Sequence, residues 1–190
     1  FALFKYTYDE NAAARSSTAL ADTLDELLAA TQGAPVHLVA HSMGSRVLSD
    51  AVLDLQYQRR QERRFDEIVL AAPDVDAAVF ERRYLRPLSE ASHRISVYCA
   101  EDDRALQLSR SVHGGYDRLG SCRDQAIGWL DDAGVEVIDA SRLYVDALEH
   151  DKLADSPRLL GDLGLLLDGV PAGAPARGLE QREHLYVLPP

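Results

Sequence analysis

Ser42 is the centre of this sequence's chemistry, because small residues flank it in Ala40-His41-Ser42-Met43-Gly44. An apolar run over residues 36–40 precedes it, and a helical pattern runs from residue 44 to about residue 60. This arrangement predicts a strand, a sharp turn with the serine at its apex, and a helix, which together form a nucleophile elbow. The motif favours small residues at positions 40 and 44, since strand and helix pass close together there. A serine held in this way exposes its Oγ to a substrate.

A serine hydroxyl is a poor nucleophile until a base removes its proton, and that base needs an acidic group to orient it. In enzymes built on such an elbow the acid follows the serine along the chain, and the histidine follows the acid. His150 is the candidate base, because it alone of six histidines follows the last predicted strand and precedes the last predicted helix. A lone loop histidine is more often an ordinary surface residue, and this position is what distinguishes His150.

The candidate acid is Asp103, which lies in the acidic turn after a strand predicted at residues 94–100. Asp102 is a close rival, because a turn can present either side chain to the site. Asp74 and Asp76 follow the preceding predicted strand and are further alternatives. The ordinary role of these two aspartates would be to cap the next helix.

The elbow also supplies a hydrogen-bond donor. The backbone N–H of Met43 follows the serine directly and is positioned to stabilise the negative charge that develops on a carbonyl oxygen. This chemistry requires no metal and no cofactor. Its partner is a small-molecule ester.

Composition limits the other possibilities. The chain has 190 residues, a net charge of −11, 46% hydrophobic residues and 27% charged residues, as in an ordinary globular protein. The negative charge argues against nucleic acid or an anionic membrane as the main partner, since both need a basic surface. No apolar run reaches the length of a membrane span. A disulfide between Cys99 and Cys122 is possible, but nothing in the pattern supports it.

Strand and helix patterns alternate along the chain. Strands are predicted at residues 2–8, 36–40, 65–72, 94–100 and 134–139, and the main helices at 12–30, 44–60, 105–112 and 157–168. The alternation predicts an α/β fold with a mostly parallel sheet and helices on both faces. Sites in such sheets lie at the carboxyl ends of the strands. We assign residues 1–168 to this core and residues 169–190 to a Pro/Gly-rich linker and a loosely packed tail.

Further residues carry a family resemblance. Beside the elbow these are Leu70-Ala71-Ala72-Pro73-Asp74-Val75-Asp76 with Phe80, Tyr98 with Asp103-Arg104-Ala105-Leu106 and Ser109, His113-Gly114-Gly115, Arg118-Leu119-Gly120, and His150. Over roughly residues 8–168 the sequence resembles a bacterial α/β-hydrolase family of unknown function, whose members are described as esterases or lipases. The resemblance implies the α/β-hydrolase fold and a triad of Ser42, Asp103 and His150. It implies a reaction class only, not a substrate.

The sequence departs from the family pattern at its start. The resemblance implies an earlier strand that ends in a His-Gly loop and supplies a second oxyanion donor, and nothing like it occurs in the sequence given. We therefore expect an N-terminally incomplete fold whose missing strand lies inside the sheet. A cytoplasmic location is favoured, and an upstream signal or lipoprotein segment is compatible with the sequence.

Two functions follow from these observations. The first is a serine hydrolase that cleaves a carboxylic ester through a triad and an acyl-enzyme intermediate. The alternative is a catalytically inactive α/β-hydrolase domain or fragment that serves as a binding module, which an incomplete oxyanion hole would favour. A dinucleotide-binding domain is weaker, because no G-x-G-x-x-G follows a strand.

Overall fold

A six-stranded sheet forms the centre of the computed structural model. The structure describes residues 2–58, 65–101, 104–112, 114–122, 124–143 and 156–190, without the side chains of residues 2–15, 58, 104, 112 and 124–127. The strands are β1 (His37–His41), β2 (Phe65–Ala71), β3 (Ser92–Cys99), β4 (Glu136–Asp139), β5 (Glu180–Gln181) and β6 (Tyr186–Val187). Their order across the sheet is β1-β2-β3-β4-β6-β5, and all neighbours are parallel except β5 and β6.

Helices connect the strands. They are α1 (Ala2–Ala30), α2 (Gly44–Leu53), α3 (Ala77–Val79), α4 (Leu85–Ala91), α5 (Arg104–Val112), α6 (Asp124–Asp132) and α7 (Pro157–Leu167). Wider π-helical turns at Asp54–Gln58 and Phe80–Tyr84 follow α2 and α3. The predicted α/β fold with a mostly parallel sheet is confirmed.

Each face of the sheet is covered by helices. Leu24, Leu48, Leu88 and Leu130 belong to the apolar core on one face, which packs α1, α2, α4 and α6 against the sheet. Leu106, Leu159 and Leu166 belong to the core on the other face, formed with α5 and α7. The middle of β2 is at most 1% exposed, as its uninterrupted apolar run predicts for a strand buried on both faces.

The strand predicted at residues 2–8 is wrong, because α1 already begins at Ala2. A β-rich segment needs a neighbouring strand to satisfy its backbone N–H and C=O groups, whereas a helix satisfies them within itself. Within the described residues, β1 forms one end of the sheet and pairs with β2 alone. The upstream strand that the family resemblance implies stays a prediction.

The expected loose packing of residues 169–190 is also wrong. This segment supplies β5 and β6, and Tyr186 and Val187 pair with the end of β4. Its Arg177 side chain is fully buried and pairs with Asp162 of α7 at 2.8 Å. Proline and glycine in the segment suggested a linker, but a buried ion pair and added strands bind it to the sheet. The division of the chain at residue 168 stays a prediction.

A disulfide joins Cys99 at the end of β3 to Cys122 in the loop before α6. The cytoplasmic location favoured from the sequence stays a prediction. None of the helices within the described ranges is long and apolar enough to cross a membrane.

Replacing both cysteines by serine should lower the free energy of unfolding by roughly 2–4 kcal/mol, because the bond closes a loop in the unfolded chain. Urea denaturation measures this change, and reduced wild-type protein should match the variant. Two titratable thiols in native, unreduced protein would contradict the assignment.

Candidate active site

Ser42 adopts the strained backbone that a nucleophile elbow requires. Its φ of 53° lies in the left-handed region, which non-glycine residues seldom occupy. The residue stands between the end of β1 at His41 and the start of α2 at Gly44. Strained residues persist only where the surroundings hold them, and they cluster at functional sites.

Backbone hydrogen bonds hold the elbow on two sides. The Ser42 N–H donates to the carbonyl of Ala71 at 3.0 Å, at the end of the neighbouring strand. The Ser42 carbonyl accepts from the N–H of Ser45 at 3.1 Å and from the N–H of Asp74 at 3.2 Å. The turn after β2 therefore fixes the serine together with the first turn of α2.

The prediction that strand and helix pass too close at position 44 for a side chain is wrong. A Cβ built at this glycine would meet no atom within 4 Å, so strand and helix do not crowd that position. Ala40, on the other side of the serine, is 9% exposed and belongs to the core. Packing therefore confines Ala40, two residues before the serine, but not Gly44.

The two earlier aspartates have structural partners. Asp76 caps α3, because its carboxylate accepts from the N–H of Val79 at 3.0 Å. This is the capping role expected of an aspartate in such a position. Asp74 is buried instead, and its carboxylate accepts from the Ser109 hydroxyl at 2.7 Å and pairs with Arg118 Nε at 3.1 Å.

Asp102, Asp103 and His150 lie outside the described residues. Among the histidines that are described, His184 forms a hydrogen bond with Asp131 at 3.0 Å, which raises the pKa of its imidazole. Within the described residues, no group of three or more histidine, cysteine, aspartate or glutamate side chains could hold a metal ion.

The loop that contains Leu119 and Gly120 packs against the turn after β2, beside the serine. No functional role was predicted for this loop. Leu119 N–H donates to the Val75 carbonyl at 2.8 Å, and Gly120 N–H donates to the Pro73 carbonyl at 3.0 Å. A Cβ at Gly120 would lie 2.6 Å from the carbonyl carbon of Ala72, so only glycine permits this approach. Gly120 is among the residues that carry the resemblance, but sequence alone assigned it no partner.

A cavity of about 320 Å³ opens beside the elbow. Its lining residues are Met43, Arg46, Asp74, Val75, Asp76, Val79, Arg83, Tyr84, Tyr116 and Arg118. Tyr84 donates its hydroxyl to Asp50 at 2.8 Å, and burial together with this carboxylate raises the pKa of Tyr84 to about 12. The phenol therefore stays protonated near neutral pH. The cavity has the size of a small-molecule site.

A parallel sheet covered by helices, with a strained serine at the turn after a strand, defines the α/β-hydrolase class. A family model described as "Alpha/beta hydrolase of unknown function (DUF900)" matches residues 2–167, and the chain belongs to this family. The family resemblance drawn from the sequence is thereby confirmed. No curated protein and no solved structure gave a significant match. Family membership indicates hydrolase activity on a small-molecule substrate.

Proposed function

We propose that this protein hydrolyses a carboxylic ester, with Ser42 as the nucleophile. The observation that carries the proposal is the left-handed backbone of Ser42, with a φ of 53°, at the apex of a strand–turn–helix. Strain of this kind is what exposes the hydroxyl of a nucleophile elbow. Family membership supports hydrolase activity. That the cleaved bond is a carboxylic ester is part of the proposal.

The proposed reaction has two halves. Ser42 Oγ attacks the ester carbon while His150 takes its proton, and the Met43 N–H stabilises the resulting oxyanion. The proton then passes to the leaving alcohol, and an acyl-enzyme remains. Water, activated by the same histidine, attacks the acyl-enzyme and releases the acid. Asp103 orients the histidine and stabilises its charged form.

The strand ends support this assignment of Asp103 and His150. β3 ends at Cys99 and is followed by the acidic turn, while β4 ends at Asp139 and α7 begins at Pro157, so His150 falls between them. β1, β2, β3 and β4 are parallel, and their carboxyl ends share the edge of the sheet at which Ser42 lies.

The contacts of the alternative acids weigh against them. The Asp76 carboxylate caps α3, and the Asp74 carboxylate pairs with Arg118 and Ser109. A carboxylate used in this way is less suited to orient a histidine. Asp102 is the remaining rival of Asp103, because it lies in the same turn.

The acid can be assigned with amide variants. Asp103→Asn should lower kcat by about 10⁴-fold, because the amide fixes the histidine in the wrong tautomer. Asp102→Asn should lower it by only a few-fold. The assay is hydrolysis of p-nitrophenyl esters of increasing acyl length, with folding of each variant checked by circular dichroism. If Asp102→Asn is the inactive variant, the roles of the two aspartates are exchanged.

The same assay separates the hydrolase from a binding module. Losing one oxyanion donor costs about 10²–10³ in rate, so the assay must detect turnover reduced by that factor. Turnover that disappears in the Ser42→Ala protein supports the proposal. Folded protein without Ser42-dependent turnover would favour a non-catalytic domain.

A further inference from the structure

Arg118 is a buried cation whose hydrogen bonds are incomplete. Its side chain is 7% exposed, and its Nε donates to Ser109 Oγ at 3.0 Å and pairs with Asp74 at 3.1 Å. Within the part of the chain that the structure describes, the two terminal nitrogens, Nη1 and Nη2, have no hydrogen-bond partner. Neither nitrogen is among the fully buried polar atoms that lack a partner, so both reach open space in which a ligand can accept their hydrogen bonds.

The residue lines the cavity beside the nucleophile. Arg118 and Met43 belong to the same lining, and Met43 follows Ser42 directly. Asp74 contacts both Ser42 and Arg118. Its N–H donates to the Ser42 carbonyl at 3.2 Å, and its carboxylate pairs with Arg118. A small molecule that occupies this cavity would therefore contact Arg118 and lie beside the elbow.

The shape of the Arg118 guanidinium favours a carboxylate. A guanidinium presents its N–H groups as a planar fork that matches the two oxygens of a carboxylate. Arg83, which also lines the cavity, already pairs with Asp50 at 2.9 Å. Because Asp74 already balances the charge of Arg118, a singly charged carboxylate group suits Arg118 better than a doubly charged phosphate.

We infer that the substrate is an ester that also carries a free carboxylate, and that the terminal nitrogens of Arg118 bind that carboxylate in the cavity. Arg118 is thus a specificity-determining residue. This inference rests on the proposed ester hydrolysis at Ser42 and adds the substrate class to it.

Matched esters test the inference. Monomethyl adipate and methyl hexanoate have acyl chains of equal length that end in a carboxylate or a methyl group. Butyrylglycolate and propyl butyrate place the same contrast on the alcohol side, and acid release is measured by pH-stat titration. In at least one pair, kcat/KM should be roughly tenfold or more higher for the charged ester, the value expected for a charged hydrogen bond.

Two variants assign that preference to Arg118. Arg118→Lys keeps a cation beside Asp74 but removes the fork, and Arg118→Gln combined with Asp74→Asn leaves no unpaired buried charge. Both should reduce the preference to near unity, because the fork that binds the carboxylate is lost. Arg86→Gln is the control, because its side chain is 81% exposed and pairs with Glu90. An equal loss of rate on both esters would overturn the specificity role.

A binding measurement separates failure of this inference from failure of the proposed function. Glutarate and inorganic phosphate are titrated calorimetrically against the Ser42→Ala protein and against its Arg118→Lys form. Arg118-dependent binding of glutarate supports the anion site even if no ester is hydrolysed. Ser42-dependent hydrolysis without charge preference or glutarate binding would overturn the inference and leave the hydrolase proposal standing. Phosphate binding tighter than glutarate binding would overturn the carboxylate assignment.

Discussion

Replacing Ser42 by alanine is expected to lower kcat for ester hydrolysis by roughly 10⁴-fold or more, because no other group replaces the lost nucleophile. The fold should survive, since the structure holds this turn by backbone hydrogen bonds at 3.0, 3.1 and 3.2 Å that alanine keeps. The measurement is steady-state hydrolysis of a p-nitrophenyl ester, with circular dichroism and thermal unfolding of the same samples.

Ser111→Ala is the matched control for this variant. Ser111 is exposed on α5 and donates to the Gln107 carbonyl one helical turn earlier. Its loss should leave kcat within about twofold, because surface substitutions away from a site have small effects. Wild-type activity in folded Ser42→Ala protein would show that the elbow does not supply the nucleophile.

Replacing Arg177 by methionine should lower the free energy of unfolding by roughly 3–5 kcal/mol, since it strands a buried carboxylate. Arg177 and Asp162 are both fully buried and lie 2.8 Å apart. Arg177 also donates to the Tyr98 hydroxyl at 3.1 Å and to Glu136 at 3.2 Å. Urea denaturation measures the loss.

Two further variants show that the loss comes from a buried charge. Asp162→Asn in the Arg177→Met background should recover part of the stability, because the fully buried carboxylate no longer carries an unpaired charge. Arg142→Met removes a surface pair with Glu180, whose side chains are 41% and 51% exposed, and should cost below about 1 kcal/mol. If Arg177→Met costs no more than Arg142→Met, residues 169–190 are only loosely attached to the sheet.

The middle of the fold could be predicted because local pattern and tertiary context agree there. Residues 65–72 form an apolar run bounded by turn residues, and the structure buries β2 on both faces. The small residues around Ser42 predicted the elbow, and the positive φ of that serine agrees. In both places the local sequence pattern predicts the same structure that the tertiary contacts stabilise.

The errors occur where long-range partners decide the structure. Residues 2–8 have strand composition but form part of α1. Residues 169–190 have linker composition, but Arg177 binds them to α7 and β4. Composition predicts neither outcome, because a strand forms only beside a partner strand, and Arg177 meets Asp162 and Glu136 only in the folded sheet.

The cavity was missed for the same reason. Arg118 is separated from Asp74 and Ser42 in sequence, and only the pairing of its loop with the turn after β2 joins them. Its signal in the sequence was the residue group Arg118-Leu119-Gly120 within the family resemblance. Without the fold, the sequence did not show which residues Arg118 contacts.

The measurement that tests the central claim most directly is labelling of the folded protein with a fluorophosphonate probe. Such a probe reacts with a serine that a neighbouring base has activated, and mass spectrometry of the digested protein locates the adduct. We predict one adduct, on Ser42, that is absent from the Ser42→Ala protein. A folded protein that stays unlabelled, or one labelled on a different serine, would contradict the assignment of Ser42 as an activated nucleophile.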